Sequence, residues 1–304
     1  MFDIVSVGHF AIDSIFLPDK DMPFVVLGGS VAYVSFAARR LDATVSVVSK
    51  VGDDFPNAYM WWLEQEGIDL SGVIKVENAS TTRFELKYND DLSNRKLQLK
   101  NKAPAITVDD LPKAVKAKTI HIAPIAGEVT YEVVKELKNH ADLLSFEPQG
   151  LVRNFDEEGK VTHGSLTDKR ILELVDIYKS SLNEIKAVTS LSRLNSAINT
   201  VHDYGVETVI VTLGMKGAVL SVEKTIYNIP AYKSEKIVDP TGAGDVFIGG
   251  FLTEYIHGEN SLWCACVGSA AASLVVEAAG PTFFGKKEEI YRRARVLYEK
   301  EIKQ

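Results

Sequence analysis

The chain has 304 residues, a formal net charge of −7, 46% hydrophobic residues and 25% charged residues. These values suit a soluble protein with one large α/β domain or two smaller ones, and the acidic balance argues against a nucleic-acid partner. A nucleotide stays open, because it needs only a local anion site. No basic-then-apolar leader and no apolar run of membrane-spanning length is found, so a cytoplasmic protein with no membrane partner is expected. Cys264 and Cys266 are the only cysteines. Two apart on a helix, they point to different sides and read as small core residues rather than a disulfide or zinc pair.

Asp3 to Val7 predicts a short buried strand that ends at Gly8. Asp13 follows within a few residues, where open α/β sheets gather their ligands. Residues 10–24 are expected to be extended and to lie outside the main core. Gly28 and Gly29 then precede a helix that runs to Leu41, with Ser30 as its N-cap. The glycine pair would let a substrate hydroxyl approach the backbone, although a plain turn explains it equally. A strand over 44–49 and a helix over 56–66, closed by Gly67, come next.

Residues 73–76, 81–88 and 95–100 alternate apolar and polar side chains over short spans, which predicts a small sheet standing off the body. Arg83 or Arg95 would face a ligand there, and nothing in the sequence selects between them. From Thr107 helices and strands alternate: helix 107–115, strand 119–123, helix 128–140, strand 142–146, then 168–175, 177–180, 191–204 and 208–213. Strands separated by helices imply parallel pairing with right-handed crossovers, so binding groups should gather at the strands' C-terminal ends. Three such ends carry candidates: Gln149 and Arg153 for a polyhydroxyl ligand, Asn183, and the segment Thr212, Gly214 and Gly217. Strands 218–222 and 225–229 and helices 261–279 and 286–302 complete the reading.

The stretch that organises the rest is Val238-Asp239-Pro240-Thr241-Gly242-Ala243-Gly244-Asp245, followed at once by an apolar helix. The glycines let several backbone N–H groups turn toward one point, and the helix adds its unpaired N–H groups and positive dipole end. That makes an anion site of Gly242, Ala243 and Gly244. Asp245 at its rim is a poor phosphate ligand and fits better as a base that takes a proton from a hydroxyl attacking a phosphoryl group. A glycine-rich turn without chemistry is the bland alternative.

This eight-residue stretch resembles the C-terminal signature of the ribokinase-like (PfkB) family of carbohydrate and nucleoside kinases. Gly28-Gly29 with its helix, followed by Lys50-Val51-Gly52-Asp53-Asp54, is similar to the family's N-terminal half. The resemblance implies one ribokinase-like domain over 1–304: a three-layer αβα sandwich with a mostly parallel central sheet, plus a small β-sheet lid from about 10–24 and 73–100. It implies ATP and Mg²⁺ as cofactors. Asp245 would be the general base, Gly242, Ala243 and Gly244 the anion hole, and Asn183, Thr212, Gly214, Gly217 and Gly244 nucleotide-binding. Asp13, Gly28, Gly29, Tyr33, Gln149, Arg153 and Asp245 would bind the acceptor. Asp239 would belong to a loop that binds a monovalent cation such as K⁺ in some members, and the lid strands would be available for a homodimer.

The sequence departs from the family at two places. Tyr33 stands near where an Asn commonly touches a sugar hydroxyl, and Lys186 stands where the Asn-x-x-Glu motif, begun by Asn183, expects Glu. The Gln-Gly-x-x-Arg run of residues 149–153 resembles the inositol kinase subgroup. A sugar or a polyol such as an inositol is therefore the expected acceptor, with a nucleoside as the alternative. A catalytically weak ligand-binding sensor on the same fold is the rival from another class, supported by Lys186 and opposed by the intact Gly242 to Asp245.

Overall fold

The computed structural model describes residues 1–302 apart from 19, 93, 114 and 115. In chain order its elements are β1 (Phe2–Val7), β2 (Ala11–Phe16), β3 (Phe24–Gly28), α1 (Ser30–Arg40), β4 (Val45–Gly52), α2 (Asn57–Gln65), β5 (Ile68–Val76), β6 (Thr82–Tyr88) and β7 (Arg95–Asn101). There follow β8 (Ala117–Ile122), α3 (Tyr131–Leu137), β9 (Ala141–Phe146), β10 (Arg153–Phe155), β11 (Val161–His163), β12 (Ile177–Ser181), α4 (Leu182–Thr189), α5 (Leu194–Asp203) and β13 (Thr208–Thr212). The last are β14 (Ala218–Val222), β15 (Thr225–Ile229), α6 (Ala243–Ile256), α7 (Ser261–Val275) and α8 (Lys287–Ile302).

Nine strands form the central sheet in the order β15-β14-β13-β12-β9-β8-β1-β4-β5. Pairing is parallel from β13 to β5, while β14 and β15 add antiparallel at one edge. Period-2 alternation divides the core between the two faces. Ile4, Ile177 and Ile210 face the layer of α1, α6, α7 and α8. Val5, Val7, Ile120 and Phe146 face that of α3, α4 and α5. Both faces are covered, as a mostly parallel sheet requires. Cys264 and Cys266 are buried in α7 and form no disulfide with each other.

Chain order reverses at β1, whose neighbours are β4 and β8, and a crevice opens beyond the strand ends there. A separate four-stranded sheet, β3-β2-β6-β7, rises over that crevice as a lid. Ala11, Ile15, Phe84 and Leu86 of the lid pack with Ile125 of the body in a small third cluster.

Several expectations need correction. Residues 73–76 belong to β5, which pairs parallel with β4 in the main sheet through a register shift. Their alternation reflects an edge strand covered on one face. Only one 3-10 turn, Val108–Asp110, forms where a helix over 107–115 was predicted; residues 114 and 115 lie outside the described residues. Its capping box is real, but extended Leu111 and then Pro112 stop propagation. The antiparallel β14–β15 edge was not foreseen as such, and neither was the β10–β11 hairpin, which meets the lid where Leu99 N donates to Gly159 O at 2.7 Å.

Candidate active site

The crevice under the lid is an open cleft with about 430 Å³ of empty space, counting the solvent at its mouth. Its floor is Gly29, Ser30, Tyr33, Thr241, Gly242 and Asp245; Asp13, Phe84, Leu86, Arg95 and Leu97 of the lid sheet form the facing wall, Asp13 in register beside Phe84, and Ile125, Gln149 and Arg153 close a third side. Residues from five separate stretches of sequence thus converge on one pocket.

Asp13 is on β2, where the lid leaves the body, and is buried. Gly28 lies directly beside it: a Cβ there would come within 2.1 Å of Asp13 Oδ2, so only glycine leaves room for the carboxylate. Asp13 Oδ1 has no partner among the described residues. Burial pushes the Asp13 carboxyl up to about 7, against the opposing pull of Arg95 and Arg153. An acceptor-only oxygen pair held in a dry site is suited to hydroxyl donors.

Opposite it, α6 begins at Gly242, which takes φ +78° at the N-cap with no side-chain cap. A Cβ on Gly242 would strike the Tyr33 ring at 2.1 Å. Among the described residues the N–H groups of Gly242, Gly244 and Asp245 meet no backbone partner, and that of Ala243 makes only a long 3.4 Å contact with Pro240 O. These are the free donors of a helix start, with the dipole behind them. Asp245 stands in the first turn of α6, and Ser30 Oγ donates to its Oδ1 at 2.5 Å. Ser30 is therefore not the cap of α1: Gly29 occupies that position and the Ser30 hydroxyl is turned to Asp245.

Arg153 donates to Ile125 O at 2.8 Å and to Gln149 Oε1, and its guanidinium lies 5.6 Å from the Phe84 ring centre. Burial and the nearby Arg95 lower its pKa to about 10. Arg83 turns away to an exposed ion pair with Asp54, so Arg95 is the lid arginine at the cleft.

Beneath Gly244 lies a feature that the sequence reading passed over. Lys179 of β12 pairs with Glu147 at the end of β9, both almost wholly buried. A Cβ on Gly244 would sit 2.8 Å from Lys179 Nζ. Burial works against the ammonium, but Glu147, Asp245 and Glu184 together more than offset it and hold the Lys179 pKa above its ordinary value. A lysine inside the otherwise buried Ile177–Ser181 strand was the available signal.

Asn183, Thr212, Gly214 and Gly217 do not line the cleft; they lie at the C-terminal ends of β12 and β13 and in the turn that follows β13. Asn183 is exposed, whereas Glu184 is buried as the N3 residue of the α4 capping box with Ser181. Glu184 thus faces inward where Lys186 was set against the family motif. Gly217 serves the β13–β14 turn, its missing Cβ leaving room for Ile229 O, and Gly214 is open to solvent. Asp239 ties two loops together: Oδ1 accepts from Thr241 N and Oγ1, and Oδ2 accepts from Gly280 N in the turn after α7. Among the described residues no group of three or more His, Cys, Asp or Glu side chains is placed to hold a metal.

A doubly wound sheet with a lid, an anion-binding helix start and a carboxylate at its rim define a phosphotransferase acting on a hydroxyl. The pfkB family carbohydrate kinase model matches residues 1–288, and the chain belongs to that family. The cytidine kinase of Thermococcus kodakarensis is 31% identical over 92% of this chain and 98% of its own. The solved nucleoside kinase of Methanocaldococcus jannaschii superposes with a TM-score of 0.79 at 26% identity, covering 97% of this chain and 99% of its own. A pyrophosphate-dependent kinase in the ribokinase family, complexed with a pyrophosphate analog and myo-inositol, shares the fold at a TM-score of 0.82 and 20% identity, covering 95% and 99%.

Proposed function

We propose that this kinase transfers the γ-phosphoryl group of ATP, with Mg²⁺, to a hydroxyl of a nucleoside. The observation that carries the acceptor class is the mixed lining of the cleft. Asp13, the Gly29 backbone, Arg95 and Asp245 present polar groups, and Phe84, Leu86, Leu97 and Ile125 present an apolar wall beside them. A nucleoside has a hydroxylated ring and a flat base to match both. The similarity to cytidine and nucleoside kinases points the same way. A polyol such as an inositol is the second reading, favoured by Gln149 and Arg153, which are paired in the cleft; its hydroxyls on every carbon would leave the apolar wall poorly used.

In this reading Asp13 accepts from acceptor hydroxyls and orients the reacting one toward Asp245. Asp245 takes that hydroxyl's proton as the oxygen attacks, with Ser30 holding the carboxylate in place. The free N–H groups at the start of α6 stabilise charge on the transferred group. ATP supplies the phosphoryl group, and Mg²⁺ would be held largely through phosphate oxygens and waters, which suits its reluctance to dehydrate. The ends of β12 and β13 would receive the nucleotide. Lid strands over the cleft keep water, the competing acceptor, away.

The test is purified protein with ATP and Mg²⁺ offered cytidine, uridine, adenosine, inosine, myo-inositol, ribose and fructose, with Asp245→Asn as blank. A nucleoside should exceed myo-inositol in kcat/KM by roughly a hundredfold, as rejection by unpaired polar groups allows. Preference for the polyol or a free sugar would overturn the acceptor class. Absence of phosphoryl transfer to any of them would favour the sensor.

A further inference from the structure

We infer that Tyr88 is a positioning residue of the phosphoryl-transfer site, fastening the lid to the turn that carries the anion hole. Tyr88 is the last residue of β6 and pairs in register with Arg95, the first of β7. Arg95 Nη1 lies 2.8 Å from Tyr88 Oη, which lies 2.9 Å from Thr241 Oγ1, which lies 2.6 Å from Asp239 Oδ1. Chemistry fixes the direction of every bond. A guanidinium only donates and a carboxylate only accepts. Thr241 therefore gives its one hydroxyl proton to Asp239, and Tyr88 gives its own to Thr241.

The chain runs from a cation on the lid to an anion in the body, and bonds aligned in one direction reinforce one another. Thr241 immediately precedes Gly242, whose backbone aims the free N–H groups of the α6 start. Asp239, the terminus, also holds Gly280 N at 2.9 Å. Arg95 is itself part of the cleft wall. An acceptor that engages Arg95 thus bears on the same chain of bonds, so seating the lid on its substrate and setting the anion hole become one event. This rests on the kinase activity of the site and not on which acceptor it takes.

The experiment compares Tyr88→Phe, Thr241→Val, Thr241→Ser and the Tyr88→Phe/Thr241→Val pair. Tyr88→Phe keeps the ring and removes one oxygen. It should lower kcat roughly tenfold, with acceptor KM changed less than about twofold. Thr241→Ser should retain kcat, and the double variant should be no worse than Thr241→Val alone. A loss confined to KM, or losses that multiply in the double variant, would overturn the inference. Amide hydrogen exchange at Asp239 and Thr241, whose N–H groups donate to Val276 O and Asp239 Oδ1, should quicken about fivefold in Tyr88→Phe, read without any acceptor. Unchanged exchange there would overturn the coupling even if no acceptor had been found.

Discussion

Ser30 and Asp245, 215 positions apart in sequence, meet at 2.5 Å between Oγ and Oδ1. The contact joins the first residue of α1 to the first turn of α6, so the two signature segments are bonded directly through Asp245. Ser30 holds one oxygen of Asp245 and, in the proposed mechanism, leaves the other for the acceptor hydroxyl. Asp245→Asn keeps size and shape but cannot take a proton; kcat is expected to fall by about a thousandfold or more, with ATP binding within about threefold of the parent. Ser30→Ala removes only the orienting bond and should lower kcat by about three- to tenfold. Steady-state kinetics with calorimetric ATP binding checks both, and an Asn variant that kept most of its activity would remove Asp245 from the base role.

Asp13 links substrate binding to pH. Its folded pKa of about 7 exceeds its ordinary value of 3.8, chiefly through burial. The unliganded folded state therefore keeps a proton that the unfolded chain has released, and stability from this group declines as pH rises from about 4 to about 7. Asp13→Asn should be more stable than the parent at pH 8, by about 2–4 kcal/mol, and equal to it near pH 4. The same substitution should raise acceptor KM sharply. In the parent, acceptor KM should rise as pH falls below about 7, where the carboxylate becomes an acid. Thermal melts and KM measured from pH 5 to 9 read both trends.

Gly242 and Tyr33 share a space that admits only one side chain. Gly242→Ala combines φ +78° with a Cβ 2.1 Å from the Tyr33 ring, so a loss of about 2–4 kcal/mol and most of kcat is expected. Gly242→Ala with Tyr33→Ala relieves the clash and keeps the backbone strain. The pair should lose clearly less than the sum of its two single variants in urea unfolding.

The anion turn, the glycine pair and the α/β rhythm were legible because each is local: glycines where backbone must bend, apolar periods where layers must pack. Asp13 and Asp245 were legible from their place after strand or turn. What was not legible is long-range partnership. Ser30 reads as a cap from its neighbours, and only the fold turns its hydroxyl to Asp245. Arg83 and Arg95 are equivalent in the sequence; the Asp54 pair removes one of them from the cleft. Residues 73–76 alternate like a lid strand because an edge strand of the main sheet meets water on one face as well.

Lys179 and Glu147 were invisible as a pair, and they offer the clearest separation of stability from catalysis. With 3% and 2% of their side chains exposed, neither charge has an alternative partner in water. Lys179→Met should leave Glu147 buried and uncompensated, lowering stability by about 3 kcal/mol or more. Adding Glu147→Leu should return most of that loss, since an apolar pair of similar volume is close to neutral in such a place. Activity should not return with it. The Lys179 ammonium lies against Gly244, where the proposed mechanism gathers charge on the transferred phosphoryl group, and the double variant lacks that field. We expect its kcat to remain roughly tenfold below the parent at restored stability. Urea melts beside kcat decide the matter: full recovery of both would make the pair a purely structural device.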